Sequence, residues 1–286
     1  MSQYEAMTYL LVIVSLTLAF CILGVWWAGR SIRNKQHPFV SFGVALVCLL
    51  PSILFLAYYL HLFDAPWYYT LRALPGADGL AALAGLGLGI YFQRLAHVMG
   101  RQLFPTEEAS TKVHFRFTSG LFACMASVLW IALVFYKPFF TLYREPVSNR
   151  WNGGVCLQTS PITCGPCAAA SILFDFGETV TEKRLAQQSF SSNTGTLNWY
   201  LARAIRSYGY RVTFSAPQTL HDIKAPAIIG VKLGHAGHFL AFFGKNKSTG
   251  QWIIGEPLNV GKTELSDAEF YRRYTFDKFA MSIRKR

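Results

Sequence analysis

The chain is poor in charge, and poorer still in acid. Only 15% of its 286 residues are Asp, Glu, Lys or Arg, and 15 carboxylates face 27 basic side chains, a formal net charge of +12. The basic residues never run together: residues 1–150 carry 11 basic and 6 acidic side chains (net +5), residues 151–286 carry 16 and 9 (net +7). Without a dense basic stripe or an aromatic platform of the RNA-binding kind, nothing here calls for a nucleic-acid partner. Scattered positive charge suits an anionic lipid surface instead. Cysteine is scarce as well. Cys21, Cys48 and Cys124 lie in apolar runs, where they read as small hydrophobes, and Cys156, Cys164 and Cys167 form one cluster. Such usage excludes the disulfide framework of a small secreted domain. Internal repeats and low-complexity segments are absent from the sequence.

What the chain has in excess is apolar surface: 52% of its residues are hydrophobic, the mean hydropathy is +0.27, and the surplus lies before residue 140. Residues 7–29 are 23 uncharged positions, enough to cross a bilayer core. They lack the basic leading segment and small-residue cleavage site of a signal peptide. Residues 39–63 form a second span, with Pro51 as a kink, and residues 117–136 a fourth, ending at Lys137. The third, 79–100, reaches spanning length with Arg94 and His97 snorkelling to the interface. Its Ala81, Gly85 and Gly89 make a small-residue stripe along which two helices approach closely.

Arg30, Arg33 and Lys35 follow the first span, and Arg94, Arg101, Lys112 and Arg116 lie around the turn from third to fourth. The positive-inside rule then puts both termini outside the cytoplasm. The expectation is a multi-pass protein of a bacterial cytoplasmic membrane. Residues 1–145 form the membrane domain, and residues 151–286 form a second domain on the extracytoplasmic side. If residues 79–100 are re-entrant rather than spanning, that side reverses.

From Trp151 onward the pattern is α+β. A helix runs from Cys164 to Phe176 and stops at Gly177. Thr179 with Glu182 reads as a capping box for the next helix, and a third helix covers 197–208. Strands are expected at 210–214, 227–233, 238–243, 251–255 and near 278–283, with Ser266 and Glu269 capping a late helix. Gly153-Gly154 reads as a flexible hinge after the membrane segment.

Cys164-Gly165-Pro166-Cys167 admits several chemistries. A thioredoxin-type dithiol needs a buried strand running into its first cysteine, whereas Gln158–Thr163 is polar and broken by Pro161. A zinc site from Cys156, Cys164, Cys167 and either His235 or His238 lacks the second close ligand pair of a zinc ribbon. A phosphate loop at Gly255–Thr263 has five residues between its glycines where four are required. No metal and no cofactor is expected. Cysteine nucleophile chemistry accounts for more residues. Cys164 opens a helix, where the dipole favours thiolate, and Gln158 can offer an amide to an oxyanion. His238 on a distant strand is the candidate base, with His235 as its rival. Glu256, or alternatively Asn259, is the group that would orient the imidazole. Cys167, one helical turn on, is a candidate redox partner for Cys164.

Gln158, five residues, Cys164-Gly165-Pro166, then PAIIGVKLGHAGHFLAFFG and GEPLNVG resemble the bacteriocin-processing, double-glycine leader peptidases of the papain-like superfamily. The resemblance covers roughly residues 151–286 and implies a papain-like fold with Cys164 as nucleophile, His238 as base and Gln158 as oxyanion donor. It further implies a peptide or leader-peptide substrate cut after Gly-Gly, and a link to an export apparatus. Where the family shows Asp-Pro this chain has Glu256-Pro257, one methylene longer. Two other classes use the same residues: a non-catalytic peptide-binding domain assisting export or assembly, and a Cys-dependent amidase or acyltransferase.

Overall fold

A computed structural model describes residues 3–35, 37–60, 62–103, 109–137, 147–234 and 236–286. The rival base His235 lies outside the described residues. Helix α1 spans Gln3–Arg33, α2 Pro38–Ala57 and α3 Pro66–Arg72. A 3-10 turn over Ala77–Ala82 leads into α4, Leu83–Leu103, and α5 covers Ala109–Val134. Four stretches are long and apolar enough to cross a membrane: Met7–Arg33, Pro38–Ala57, Ala77–Gln102 and Phe117–Val134. They coincide with the expected spans to within a few residues, except that the second stops at Ala57 rather than residue 63. The small-residue stripe works as anticipated. A Cβ on Gly85 would stand 2.0 Å from the Thr17 carbonyl oxygen, and one on Gly89 2.3 Å from that of Cys21. Only glycine lets α1 and α4 touch backbone to backbone there.

The chain divides into two compact units, one of residues 7–63 and 76–136, the other of 1–6, 64–75 and 137–286. Residues 64–75, expected to belong with the membrane half, therefore pack with the C-terminal domain. The reason is aromatic and cationic. The Arg72 guanidinium lies 4.5 Å from the Trp199 ring centre, and Tyr69 packs on Phe214 and Phe279 at 5.5 and 5.6 Å. Arg203 donates to the Arg72 carbonyl, and Arg206 donates to that of Ala73 at 2.6 Å. Tyr68 and Trp199 are almost wholly buried.

In the C-terminal domain, β1 (Arg150–Asn152) and β2 (Val155–Leu157) form a hairpin. Gly153 and Gly154 supply its two-residue turn with φ of +58° and +79°, a conformation that glycine adopts without strain. The expected hinge is thus a fixed turn. Helix α6, Cys164–Asp175, ends as anticipated before Gly177 at φ +93°. Helix α7, Glu182–Gln188, is capped by Thr181, which accepts from the Arg184 N–H at 3.2 Å, and not by Thr179. α8 covers Asn198–Ser207. The strands are β3 Tyr210–Ser215, β4 Ala227–Leu233, β5 Ala236–Lys245, β6 Trp252–Glu256, β7 Gly261–Leu265 and β8 Thr275–Lys285. Helix α9, Asp267–Arg273, carries the anticipated Ser266–Glu269 capping box.

These six strands form one antiparallel sheet in the order β3-β8-β4-β5-β6-β7. Ile229, Leu240, Phe242, Ile254 and Phe270 are fully buried in its core. Helix α6 lies against β5, its alanines at 168–170 small enough for close approach. Residues 252–265 are a β-hairpin with Glu256 opposite Gly261, and no helix follows the glycines, so the phosphate-loop alternative ends here.

Candidate active site

Three separate features of the sequence converge where α6 meets β5 and β6. Cys164 is the first residue of α6, half-buried, with the following residues of the helix closed off from solvent. Gly165 follows because the sheet is close: a Cβ there would stand 3.2 Å from both Phe239 and Leu201 side chains. His238 lies on β5 and Glu256 ends β6, both nearly inaccessible to solvent.

His238 Nε2 and Glu256 Oε1 are 2.7 Å apart. With Nε2 occupied, Nδ1 is the ring nitrogen left for Cys164, a neighbour whose side chain helps to raise the imidazole pKa. Burial opposes charge on this imidazole. The neighbouring Cys164 and Glu256 side chains outweigh it and hold the His238 pKa up to about 9. Burial likewise opposes the Glu256 charge, but His238, the Leu258 N–H and the Tyr274 hydroxyl overcome it and keep the carboxyl below its ordinary value. Leu258 N–H donates to Oε1 at 3.0 Å and Tyr274 O–H donates to Oε2 at 2.8 Å. A carboxylate with three donors is fixed in place. The alternative orienter Asn259 stands exposed on the turn beyond.

Gln158 follows β2 and is 8% exposed. Its backbone N–H donates to the Pro257 carbonyl at 2.7 Å, which ties it to the residue after Glu256. Its side-chain Nε2 donates one hydrogen to the Ser160 carbonyl at 3.0 Å, leaving the second N–H of that amide for another acceptor. The buried Oε1 has no hydrogen-bond partner.

Two residues that the sequence reading did not assign to the site hold it together. Tyr274 is one, through Glu256. Glu182, fully buried, is the other. Its carboxylate accepts from the Thr159 N–H (2.9 Å), the Thr159 hydroxyl (2.8 Å) and the Thr163 hydroxyl (2.5 Å). It thus fastens both ends of the loop between Gln158 and Cys164. Local spacing suggested a helix cap for Glu182; its real partners are some twenty residues away, beyond the reach of a capping pattern.

Cys167 meets Cys156 rather than Cys164, Sγ to Sγ 3.2 Å, with both side chains wholly buried. Among the described residues no group of three or more His, Cys, Asp and Glu side chains is placed to hold a metal ion.

A profile described as the peptidase C39 family matches residues 153–286. The C-terminal domain belongs to the peptidase C39 family. The order of the chain is thus four apolar helices followed by a mixed helix and sheet C39 peptidase domain. An uncharacterized protein of Methanothermobacter thermautotrophicus is 31% identical over 85 residues, or 30% of this chain. The chain spans 59% of that relative's length. Among solved structures, the peptidase domain of Streptococcus ComA, a bi-functional ABC transporter involved in a quorum sensing pathway, is similar at 24% identity. That likeness covers 46% of this chain and 96% of ComA's domain, with a TM-score of 0.40. A double glycine motif protease from an AMS/PCAT transporter, solved with its leader peptide, is 18% identical. It covers 50% of this chain and 94% of the protease, also at 0.40.

Proposed function

We propose that this chain is a membrane-anchored cysteine peptidase that cleaves a peptide bond after a Gly-Gly sequence, with Cys164 as nucleophile. The observation that carries the reading is the buried His238–Glu256 pair, fastened at its far end by Tyr274 and with the half-buried Cys164 beside the imidazole. An imidazolium beside a sulfur at a helix N-terminus is the environment in which cysteine nucleophiles act as thiolates.

In this mechanism the Cys164 sulfur attacks the scissile carbonyl carbon, and the carbonyl oxygen takes up the negative charge. The Cys164 backbone N–H and the remaining Gln158 Nε2 hydrogen supply the donors that meet it. His238 gives its proton to the leaving amine as the tetrahedral species collapses to a thioester. The neutral imidazole then takes a proton from water, whose oxygen attacks the thioester, releases the acyl product and restores the thiolate–imidazolium pair. Glu256 keeps Nε2 as the bound donor, so that Nδ1 always faces the sulfur. The carboxylate's extra methylene is accommodated because Tyr274 and the Leu258 N–H set the position of its oxygens.

The same reading places the peptidase on the extracytoplasmic face of a bacterial cytoplasmic membrane, in contact with lipid and serving an export apparatus. The basic residues after the first helix and around the turn from third to fourth support that side. The packing of residues 64–75 within the peptidase unit supports the count of crossings. A segment and a domain on one side must be joined by an even number of spans, here Ala77–Gln102 and Phe117–Val134.

The test is cleavage of a synthetic leader-like peptide containing Gly-Gly by the full chain in detergent or nanodiscs. Wild type should release the two expected fragments, and Cys164→Ala and His238→Ala should release neither while keeping the wild-type circular dichroism. Fragments at undiminished rate from Cys164→Ala would end the peptidase proposal.

A further inference from the structure

The proposed reaction uses one of the domain's three cysteines and leaves two. Cys156 sits in the middle of β2, and Cys167 lies in the first turn of α6. Both are wholly shielded from solvent, with their sulfurs 3.2 Å apart. A single hydroxyl holds their backbones together. Ser171 Oγ donates to the Cys167 carbonyl at 2.7 Å and accepts from the Cys156 N–H at 2.9 Å. The two sulfurs are therefore aimed at each other by the backbone, and about 1 Å of further approach brings them to the ~2.05 Å of a disulfide.

We propose that Cys156 and Cys167 are joined as a disulfide in the mature protein, a covalent staple beneath the active site that leaves Cys164 as the only free thiol of the domain. The proposal rests on the extracytoplasmic placement argued above, since disulfides form and persist there. Gln158 lies two residues beyond Cys156, and Cys164 three before Cys167. The bond thus ties the strand that leads to the oxyanion amide to the helix that carries the nucleophile. It has a second consequence. A Cys-x-x-Cys pair in an oxidising compartment invites a bond between its own thiols, which would consume the nucleophile. Engaging Cys167 with Cys156 removes that partner.

The oxidant required is a dithiol–disulfide oxidoreductase of the extracytoplasmic space. A thiolate of Cys156 or Cys167 attacks its disulfide, and one oxidant sulfur leaves as a thiol. The other cysteine then attacks the mixed disulfide, forming the Cys156–Cys167 bond and releasing the second oxidant sulfur. Two electrons and two protons pass to the oxidant in total. This exchange has to occur as β2 closes on α6. In the folded domain burial, reinforced by Cys156 itself, pushes the Cys167 thiol far above the ordinary range, and it no longer supplies a thiolate.

The experiment is disulfide mapping of the full chain expressed in its membrane. Intact cells are quenched with acid, thiols are alkylated under denaturing conditions without reductant, and the digested 151–183 region is sequenced by mass spectrometry. Expected are a Cys156–Cys167 link, two hydrogens lighter than the reduced peptides, and alkylation at Cys164. The link should persist in Cys164→Ser. In Cys167→Ser, Cys156 is left without its partner, and activity should rise on adding dithiothreitol, as wild-type activity should not. Alkyl groups on both Cys156 and Cys167, or a link that includes Cys164, would overturn the staple. A membrane-impermeant maleimide applied to spheroplasts separates the two ideas. Free Cys156 and Cys167 in a domain the reagent reaches refute the disulfide alone. Free cysteines in a domain it cannot reach refute the placement and the disulfide together.

Discussion

Replacing Glu256 by Gln tests the charge relay with little change of shape. In the wild type the His238 pKa stands at about 9 against an ordinary 6.5. That rise corresponds to roughly 3 kcal/mol in favour of the imidazolium, at about 1.4 kcal/mol per pH unit. Burial works against it, so the neighbouring Cys164 and Glu256 side chains together supply more than the net. Gln keeps an oxygen for Nε2 and removes the negative charge, while burial stays as it was. His238 should fall by at least one pH unit, about 1.4 kcal/mol. If the thiolate–imidazolium pair is the working form, the alkaline limb of kcat/KM lies near pH 9 in wild type and moves at least a unit lower in Glu256→Gln.

Stability should follow the same groups. His238, raised in the folded state, contributes fully below about 6.5, and that contribution is lost as pH climbs through about 9. Glu256, lowered in the folded state, contributes above its ordinary 4.5 and loses that contribution as pH falls through its folded value. The assays are a pH–rate profile with a Gly-Gly peptide and thermal melts over the same range. An alkaline limb that ignores Glu256→Gln but moves in Asn259→Ala would refute the assignment of Glu256.

Gln158→Ala should fold normally and lose about 10²–10³ in kcat, the usual worth of one oxyanion donor, measured on the same peptide. Tyr274→Phe removes one of the donors to Glu256 and should lower stability by about 1 kcal/mol in a denaturant melt, with a smaller loss of rate than Glu256→Gln. Glu182→Ala leaves the Thr159 and Thr163 donors without their buried acceptor. It should destabilise the domain by about 3 kcal/mol in the same melt and slow turnover, since the loop it holds connects Gln158 to Cys164. Gly89→Leu should disrupt the apolar helices, read as aggregation on size exclusion in detergent, because its Cβ would overlap the Cys21 carbonyl.

Local pattern carried much of this structure. The start of α6 at Cys164, its stop at Gly177, the Ser266–Glu269 cap and most of the strands follow from residue types within a few positions of each other. The stripe of Ala81, Gly85 and Gly89 likewise announced a close helix contact. What sequence reading missed depends on partners distant along the chain. Strand β7 is missing from the expected strands because its pairing with β6 supplies the ladder that its own residues do not signal. Glu182 and Tyr274 have no local reason to face the site. The packing of Tyr69 and Arg72 with α8 and β8 joins segments more than a hundred residues apart. Cys167 shows the hazard of short spacing. Three residues from Cys164 it suggested a dithiol, yet the burial pattern of α6 turns it to Cys156.

The central claim is that Cys164 attacks the carbonyl of a peptide bond, and a peptide aldehyde ending in Gly-Gly-al tests it most directly. Its carbonyl takes up the sulfur without a leaving group, as a reversible hemithioacetal, and a carbon-13 label on the aldehyde carbon reports that adduct by NMR of the full chain. The account predicts one adduct per chain, on Cys164, absent from Cys164→Ala and much reduced in His238→Ala. An adduct on any other residue, or equal labelling of Cys164→Ala, would contradict it.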